Sequence, residues 1–194
     1  SEDKEVLNEA KTRFDNNKLE DLPTEIRALI ISANVRHFET PEITENLFAT
    51  YKNTPSNDLQ NDIAIGLTST KNPETAEKIL ANIKDSNIIR PQDASRWFVY
   101  LIRTRENRQI AWNWLKENWA WVEEKFGDDK SYDDFIRYAA TALLTTDELN
   151  DFRQFFEPMM SVPALTRTIK LGITEIFARV ELIKRDKEAV ISAL

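Results

Sequence analysis

Trp112-Asn113-Trp114-Leu115-Lys116-Glu117-Asn118-Trp119-Ala120-Trp121-Val122-Glu123-Glu124-Lys125-Phe126-Gly127 is the stretch on which the fold reading turns. Trp112, Leu115, Trp119, Val122 and Phe126 recur at spacings of three and four, the repeat of one helix face. Ile110, Trp114 and Trp121 make a second apolar stripe, and a helix apolar on two sides packs between neighbours. Trp119 and Trp121 stand about 200° apart on a helix, so they cannot serve one surface. The expectation is one helix over 106–126, stopped at Gly127.

The same punctuation continues in both directions. Toward the N-terminus, Thr40-Pro41, Asn72-Pro73 and Arg90-Pro91 each join a boundary residue to a first-turn proline. Pro55-Ser56 and Asp21-Leu22-Pro23 open two further helices, and residues 3–16 carry Val6, Leu7, Ala10 and Phe14 at helical spacing. The second helix is read with Ile26, Leu29, Ile30 and Ala33 as its apolar stripe. Toward the C-terminus, Ser131 is read as a helix start, and Thr145 with Glu148 forms a capping box. Pro163 opens the longest helix, with Leu165, Ile169, Gly172, Ile176, Val180 and Ile183 on its inner face. The fold class is therefore all-α, about ten helices in antiparallel pairs. The pairs 56–84, 92–126 and 131–159 repeat at the period of a HEAT/armadillo-like α-solenoid. With no Pro/Gly/Ser-rich linker, residues 1–194 are expected to be a single helical domain.

Composition narrows the chemistry. The 194 residues include no cysteine, one histidine and three glycines. Thiolate metal sites, a two-histidine motif such as HExxH, GxGxxG and the P-loop are all excluded. The net charge of −7 repels phosphate, so no nucleic acid partner is expected. No apolar run is long enough to cross a membrane, so no membrane partner is expected, and the absence of cysteine fits a cytoplasmic setting. The start at Ser1 suggests a piece cut from something longer, and Ser1 to Glu5 does not resemble a signal peptide.

Few residues nominate themselves for a site. His37 has no sequence partner to act with and reads as structural. Asp128, Asp129, Asp133 and Asp134 lack the EF-hand pattern and read as a solvated helix start. No catalytic and no metal-binding residue is assigned. The five tryptophans read mainly as core, but Trp114 and Trp121 are candidates for contact with a second layer or another domain.

Several segments resemble a known family. Asn107-Arg108 followed by Trp112-Asn113-Trp114-Leu115-Lys116-Glu117-Asn118-Trp119 and Lys125-Phe126-Gly127 are similar to the C-terminal helical domain of the zinc aminopeptidase N family, the gluzincin aminopeptidases, bacterial type. Gly66-Leu67-Thr68-Ser69-Thr70-Lys71-Asn72-Pro73, Ile88 with Arg90-Pro91-Gln92-Asp93, and Asp147-Glu148-Leu149 with Phe155-Phe156 resemble further family segments. The family's HExxH zinc motif and its GxMEN loop belong to an earlier domain and are absent here.

The resemblance implies a non-catalytic C-terminal domain that caps the active-site chamber and helps select peptide substrates. It implies that the full-length parent is a zinc metallo-aminopeptidase removing N-terminal residues from peptides. No cofactor is expected in this chain, and zinc is expected in the parent's catalytic domain. The implied partners are the catalytic domain of the same polypeptide and peptide substrates. Arg96, Arg103, Arg137 and Arg167 are candidates to meet a peptide carboxylate. The alternative is a stand-alone α-solenoid protein-interaction adaptor, binding a protein on its concave face.

Overall fold

Helices begin where the chain supplies an acceptor or a proline. The computed structural model describes residues 3–129 and 132–193, and among these the protein is all-α: eleven α-helices, two short 3-10 turns and no strand. The helices are α1 (Lys4–Asn16), α2 (Thr24–Phe38), α3 (Pro41–Asn53), α4 (Asn57–Leu67), α5 (Pro73–Ile83) and α6 (Pro91–Arg103). They continue as α7 (Arg108–Glu117), α8 (Trp119–Phe126), α9 (Tyr132–Ala142), α10 (Thr146–Phe156) and α11 (Pro163–Ala193). Thr40, Ser56 and Asn72 accept the first-turn amides of α3, α4 and α5. The capping box of α10 is complete, with Thr145 and Glu148 satisfying each other's backbone amides. The expected start at Ser131 lies outside the described residues.

The chain divides into two compact units, Ser1–Ala111 and Trp112–Leu194, with the boundary inside α7. In the first unit α2 packs on α4 and α4 on α6, while α1, α3 and α5 fill in as sequential neighbours. Alternate-helix packing is what stacked helix pairs produce. At the α2–α4 crossing Gly66 meets Ile31, and the buried Arg27 guanidinium donates to Asp62 at 2.7 Å. Just past the end of α2, Glu39 accepts three hydroxyls: Thr44 at 3.2 Å, Thr70 at 2.5 Å and Thr75 at 2.5 Å. One carboxylate thereby ties together α2, α3, α5 and the turn after α4.

In the second unit α11 lies along α9 and α10. Gly172 permits the approach, because a Cβ there would stand 2.9 Å from Phe152 Cζ and 3.0 Å from Ala140 Cβ. Arg179 closes the far end of α9 by donating to the carbonyls of Ala140 at 3.0 Å and Leu143 at 2.7 Å. The aromatic core gathers Trp112, Phe152 and Phe156, with Trp112 stacked on Phe152 at 6.0 Å. Trp112 Nε1 donates to Asp151 at 2.6 Å, and Lys116 Nζ donates to the same carboxylate at 2.7 Å.

Two expectations are corrected. The helix read over 106–126 is two helices, broken at Asn118, whose φ of −111° and ψ of 17° leave the helical region. The Asn118 side-chain amide donates to Trp114 O at 2.8 Å, the same carbonyl that accepts its backbone amide at 2.9 Å. Gly127 does stop α8, but in a right-handed conformation rather than the left-handed one glycine usually serves. Leu29 is 68% exposed and Val6 is also exposed, so both stand off the buried stripes. On α2 the buried positions are Arg27, Ile30, Ile31, Asn34 and Val35.

Candidate functional site

Asn57, Gln60 and Asn61 fall at helical spacing on α4, so three carboxamides share one face. Opposite them, Pro91 starts α6 and sets Arg90, Gln92, Asp93 and Arg96 around its first turn and a half. Between the two helices lies a polar cleft of about 370 Å³.

Its floor is Trp97, fully buried, with Phe48 stacked at 6.0 Å and Tyr51 edge-on at 5.1 Å. Trp97 Nε1 donates to Tyr51 Oη at 3.3 Å. Burial pushes the Tyr51 phenol above its ordinary value, so it stays neutral. The walls are cross-linked. Arg90 donates to Asp93 at 2.8 Å through Nε and to Gln60 Oε1 at 2.9 Å through Nη2. Gln60 in turn donates to the carbonyls of Tyr51 at 3.1 Å and Thr54 at 3.3 Å. Asn61 Oδ1 accepts from Tyr100 at 3.2 Å and from Arg96 at 3.4 Å. Asp93 sits where the helix dipole favours an anion and is nearly buried.

Two guanidinium groups against one carboxylate leave this cleft with a positive excess, in a chain of net charge −7. Its groups can hold an anion or an amide. Its lining holds no histidine, cysteine, serine or lysine, so it offers neither an activated nucleophile nor a base of that kind.

The remaining predicted residues fall elsewhere. Arg137 on α9 and Arg167 on α11 line one cleft of about 340 Å³ with Asp133, Thr168 and Glu175. Arg137 lies over the Tyr138 ring at 5.4 Å. Asp133 accepts the Thr168 hydroxyl at 3.0 Å, and burial with the nearby Asp133 charge raises the Asp134 carboxyl above its usual value. Arg103 is exposed in the last turn of α6. Trp114 and Trp121 are half-buried and meet edge to face at 6.0 Å, while Trp119 is buried and stacked on Tyr132. The sequence therefore separates the two tryptophan surfaces correctly. The six predicted residues do not form one constellation, but Arg137 with Arg167 and Trp114 with Trp121 are brought together.

Arg90 and the α4 carboxamides were not on the sequence-derived list. The signal for them was the spacing of Asn57, Gln60 and Asn61, together with the family-like segment Arg90-Pro91-Gln92-Asp93 that forms the opposite wall. His37 is half-buried in the last turn of α2, its ring 6.4 Å from Phe38. Among the described residues no three histidine, cysteine, aspartate or glutamate side chains gather as a metal site, and no helix is long and apolar enough to cross a membrane.

An all-helical scaffold with polar surface clefts is the class these features define, and comparison with known proteins gives its family. The chain belongs to the ERAP1-like C-terminal domain family, whose model matches residues 1–176. It is similar to aminopeptidase N of Lactobacillus helveticus, 31% identical over 176 residues, covering 91% of this chain and 21% of that protein. Aminopeptidase N of Lactococcus lactis subsp. cremoris is 32% identical over 197 residues, covering 100% of this chain and 23% of that protein. Human glutamyl aminopeptidase is 25% identical over 126 residues, covering 64% of this chain and 13% of that protein. The chain spans about a fifth of the length of the bacterial relatives it matches.

Proposed function

We propose that this chain is the non-catalytic C-terminal domain of a cytoplasmic, zinc-dependent aminopeptidase, which covers the active-site chamber and holds peptide substrates away from the bond being cut. Family membership and the names of the bacterial relatives support the enzyme class. The observation that carries the binding role is the α4–α6 cleft, where Arg90 and Arg96 stand among carboxamides. Carboxamides pair with peptide main chain, and a guanidinium pairs with a peptide carboxylate. Arg137 and Arg167 line a second cleft, where Asp133 and Glu175 balance their charge.

The donor set here does not suit zinc. There is no cysteine, His37 is the only imidazole, and the described carboxylates do not gather in threes with it or with each other. Zinc and the hydrolytic step therefore belong, in this reading, to the rest of a longer polypeptide. A wall that admits unfolded peptides and excludes folded chains selects substrates without touching the chemistry.

Two measurements test this. The coding sequence upstream of Ser1 is expected to be open in frame and to encode HExxH; a stop codon followed by a start site there overturns the reading. In the full-length protein, Arg96→Ala with Arg90→Ala is expected to raise KM for longer peptides by about tenfold. The same pair is expected to leave a single-residue amide substrate unchanged. Equal effects on both substrates remove the cleft from peptide binding.

A further inference from the structure

The two guanidinium groups of the α4–α6 cleft are not equivalent. Arg90 is committed to protein acceptors. Its Nε donates to Asp93 Oδ2 at 2.8 Å and its Nη2 to Gln60 Oε1 at 2.9 Å, and Nη1 and Nη2 reach Asn57 Oδ1 at 3.5 and 3.4 Å. Arg96 is held loosely. Its Nη1 makes two long contacts, to Asn61 Oδ1 at 3.4 Å and to Asp93 Oδ1 at 3.9 Å. Its Nε and Nη2 have no partner among the described residues, and its side chain is 50% exposed.

The charges sort in the same way. Asp93 lies in the first turn of α6, where the helix dipole favours its anion, and Arg90 neutralises it at hydrogen-bond distance. The unbalanced charge of the cleft therefore sits on Arg96. Arg96 also stands close enough to Asp93 to be drawn onto it once Arg90 is removed.

We propose that Arg96 reads the ligand of this cleft, a single carboxylate, and that Arg90 is a positioning residue that keeps Asp93 occupied so that Arg96 stays open. One excess positive charge matches one monovalent carboxylate better than a dianion such as phosphate. Nε and Nη2 form one edge of the Arg96 fork, which fits the two oxygens of a carboxylate side by side. Gln60 serves Arg90: its amide donates to the Tyr51 and Thr54 carbonyls, which leaves Oε1 for Arg90 Nη2. The proposal rests on the cleft being a peptide site, and it adds the residue that makes the site selective for a free C-terminal carboxylate.

The test is titration of the 194-residue chain with acetyl-tetraalanine, as the free acid and as the C-terminal carboxamide. The readout is the indole N–H resonance of Trp97 at the cleft floor, with Trp112 in the second unit as the control. The free acid is expected to move Trp97 alone and to bind about fivefold tighter than the carboxamide. Arg96→Gln should bring the two peptides to equal affinity, with or without Asp93→Asn. Arg90→Gln should also remove the preference, and adding Asp93→Asn should restore it, because no carboxylate is left to capture Arg96. A merely structural role for Arg90 would not be rescued in this way. Arg96 is exposed, so its substitution should leave the melting curve unchanged. Equal binding of the two peptides by the unsubstituted chain overturns the proposal while leaving the cleft a site for peptide main chain. A preference that survives Arg96→Gln or Arg90→Gln also overturns it, as does one lost in Arg90→Gln that Asp93→Asn does not restore. No movement of Trp97 with either peptide overturns the peptide site itself, and the proposal with it.

Discussion

Gly66 on α4 lies so close to Ile31 on α2 that a β-carbon at Gly66 would overlap Ile31 Cγ2 and stand 2.8 Å from Ile31 Cβ. Ile31 is fully buried, so it has nowhere to turn. The glycine is needed for space and not for its backbone, since no residue in the described chain has positive φ. Gly66→Ala is expected to destabilise the first unit by about 1–3 kcal/mol. A thermal melt measures this, and with Ile31→Ala, which removes Cγ2, the double variant should lose less than the sum of the two single losses if the overlap is the cause.

Glu39 is the acceptor for three buried hydroxyls, those of Thr44, Thr70 and Thr75. Removing it strands all three, and each buried unsatisfied polar group costs about 1–3 kcal/mol. Glu39→Ala is therefore expected to lower stability by about 3 kcal/mol or more. Glu39→Gln keeps an acceptor oxygen and should cost less than half of that. Urea denaturation of the two variants checks the order, and equal losses would show that the hydroxyl contacts are not the source.

Asp151 makes the second unit sensitive to acid. Burial alone would raise its carboxyl, but the hydrogen bonds from Lys116 and Trp112 outweigh burial and hold it below the ordinary aspartate range. A carboxylate with a depressed folded value stabilises the fold above its unfolded value, about pH 4, and loses that contribution as pH falls through the folded value. Asp151→Asn is expected to flatten the acid limb of the stability–pH curve below about pH 4 while leaving its shape near neutrality unchanged. An unaltered acid limb would assign the acid sensitivity to other carboxylates.

The tryptophans divide into two populations. Trp97, Trp112 and Trp119 are buried, while Trp114 and Trp121 are half-buried and in contact with each other. Acrylamide is expected to quench a red-shifted part of the emission that Trp114→Phe with Trp121→Phe removes. A uniformly blue-shifted, unquenched spectrum would mean that this aromatic pair is covered in solution.

Local signals carried most of the helix boundaries. Thr40-Pro41, Ser56, Asn72-Pro73 and Thr145 with Glu148 each act within a turn of their own position, so a reader of the chain can place them. Asn118 was harder. Its break of the 106–126 helix falls at one residue, whose side-chain and backbone amides both donate to Trp114 O, inside an otherwise continuous apolar pattern.

The sequence by itself determined that this protein is all-α, and that it lacks the cysteines, paired histidines and glycine loops of the common catalytic sites. It also carried the segments that resemble the aminopeptidase N family, because composition and short motifs are properties of neighbouring residues. Only the tertiary structure decided which face of α2 is inward, and so that Leu29 is exposed while Arg27 is buried against Asp62. Only it set Arg90 and Arg96 across from the α4 carboxamides, thirty or more residues away along the chain. Those relationships depend on how helices stack, and a stripe wide enough to be buried on either of two sides does not say which side its neighbour will take.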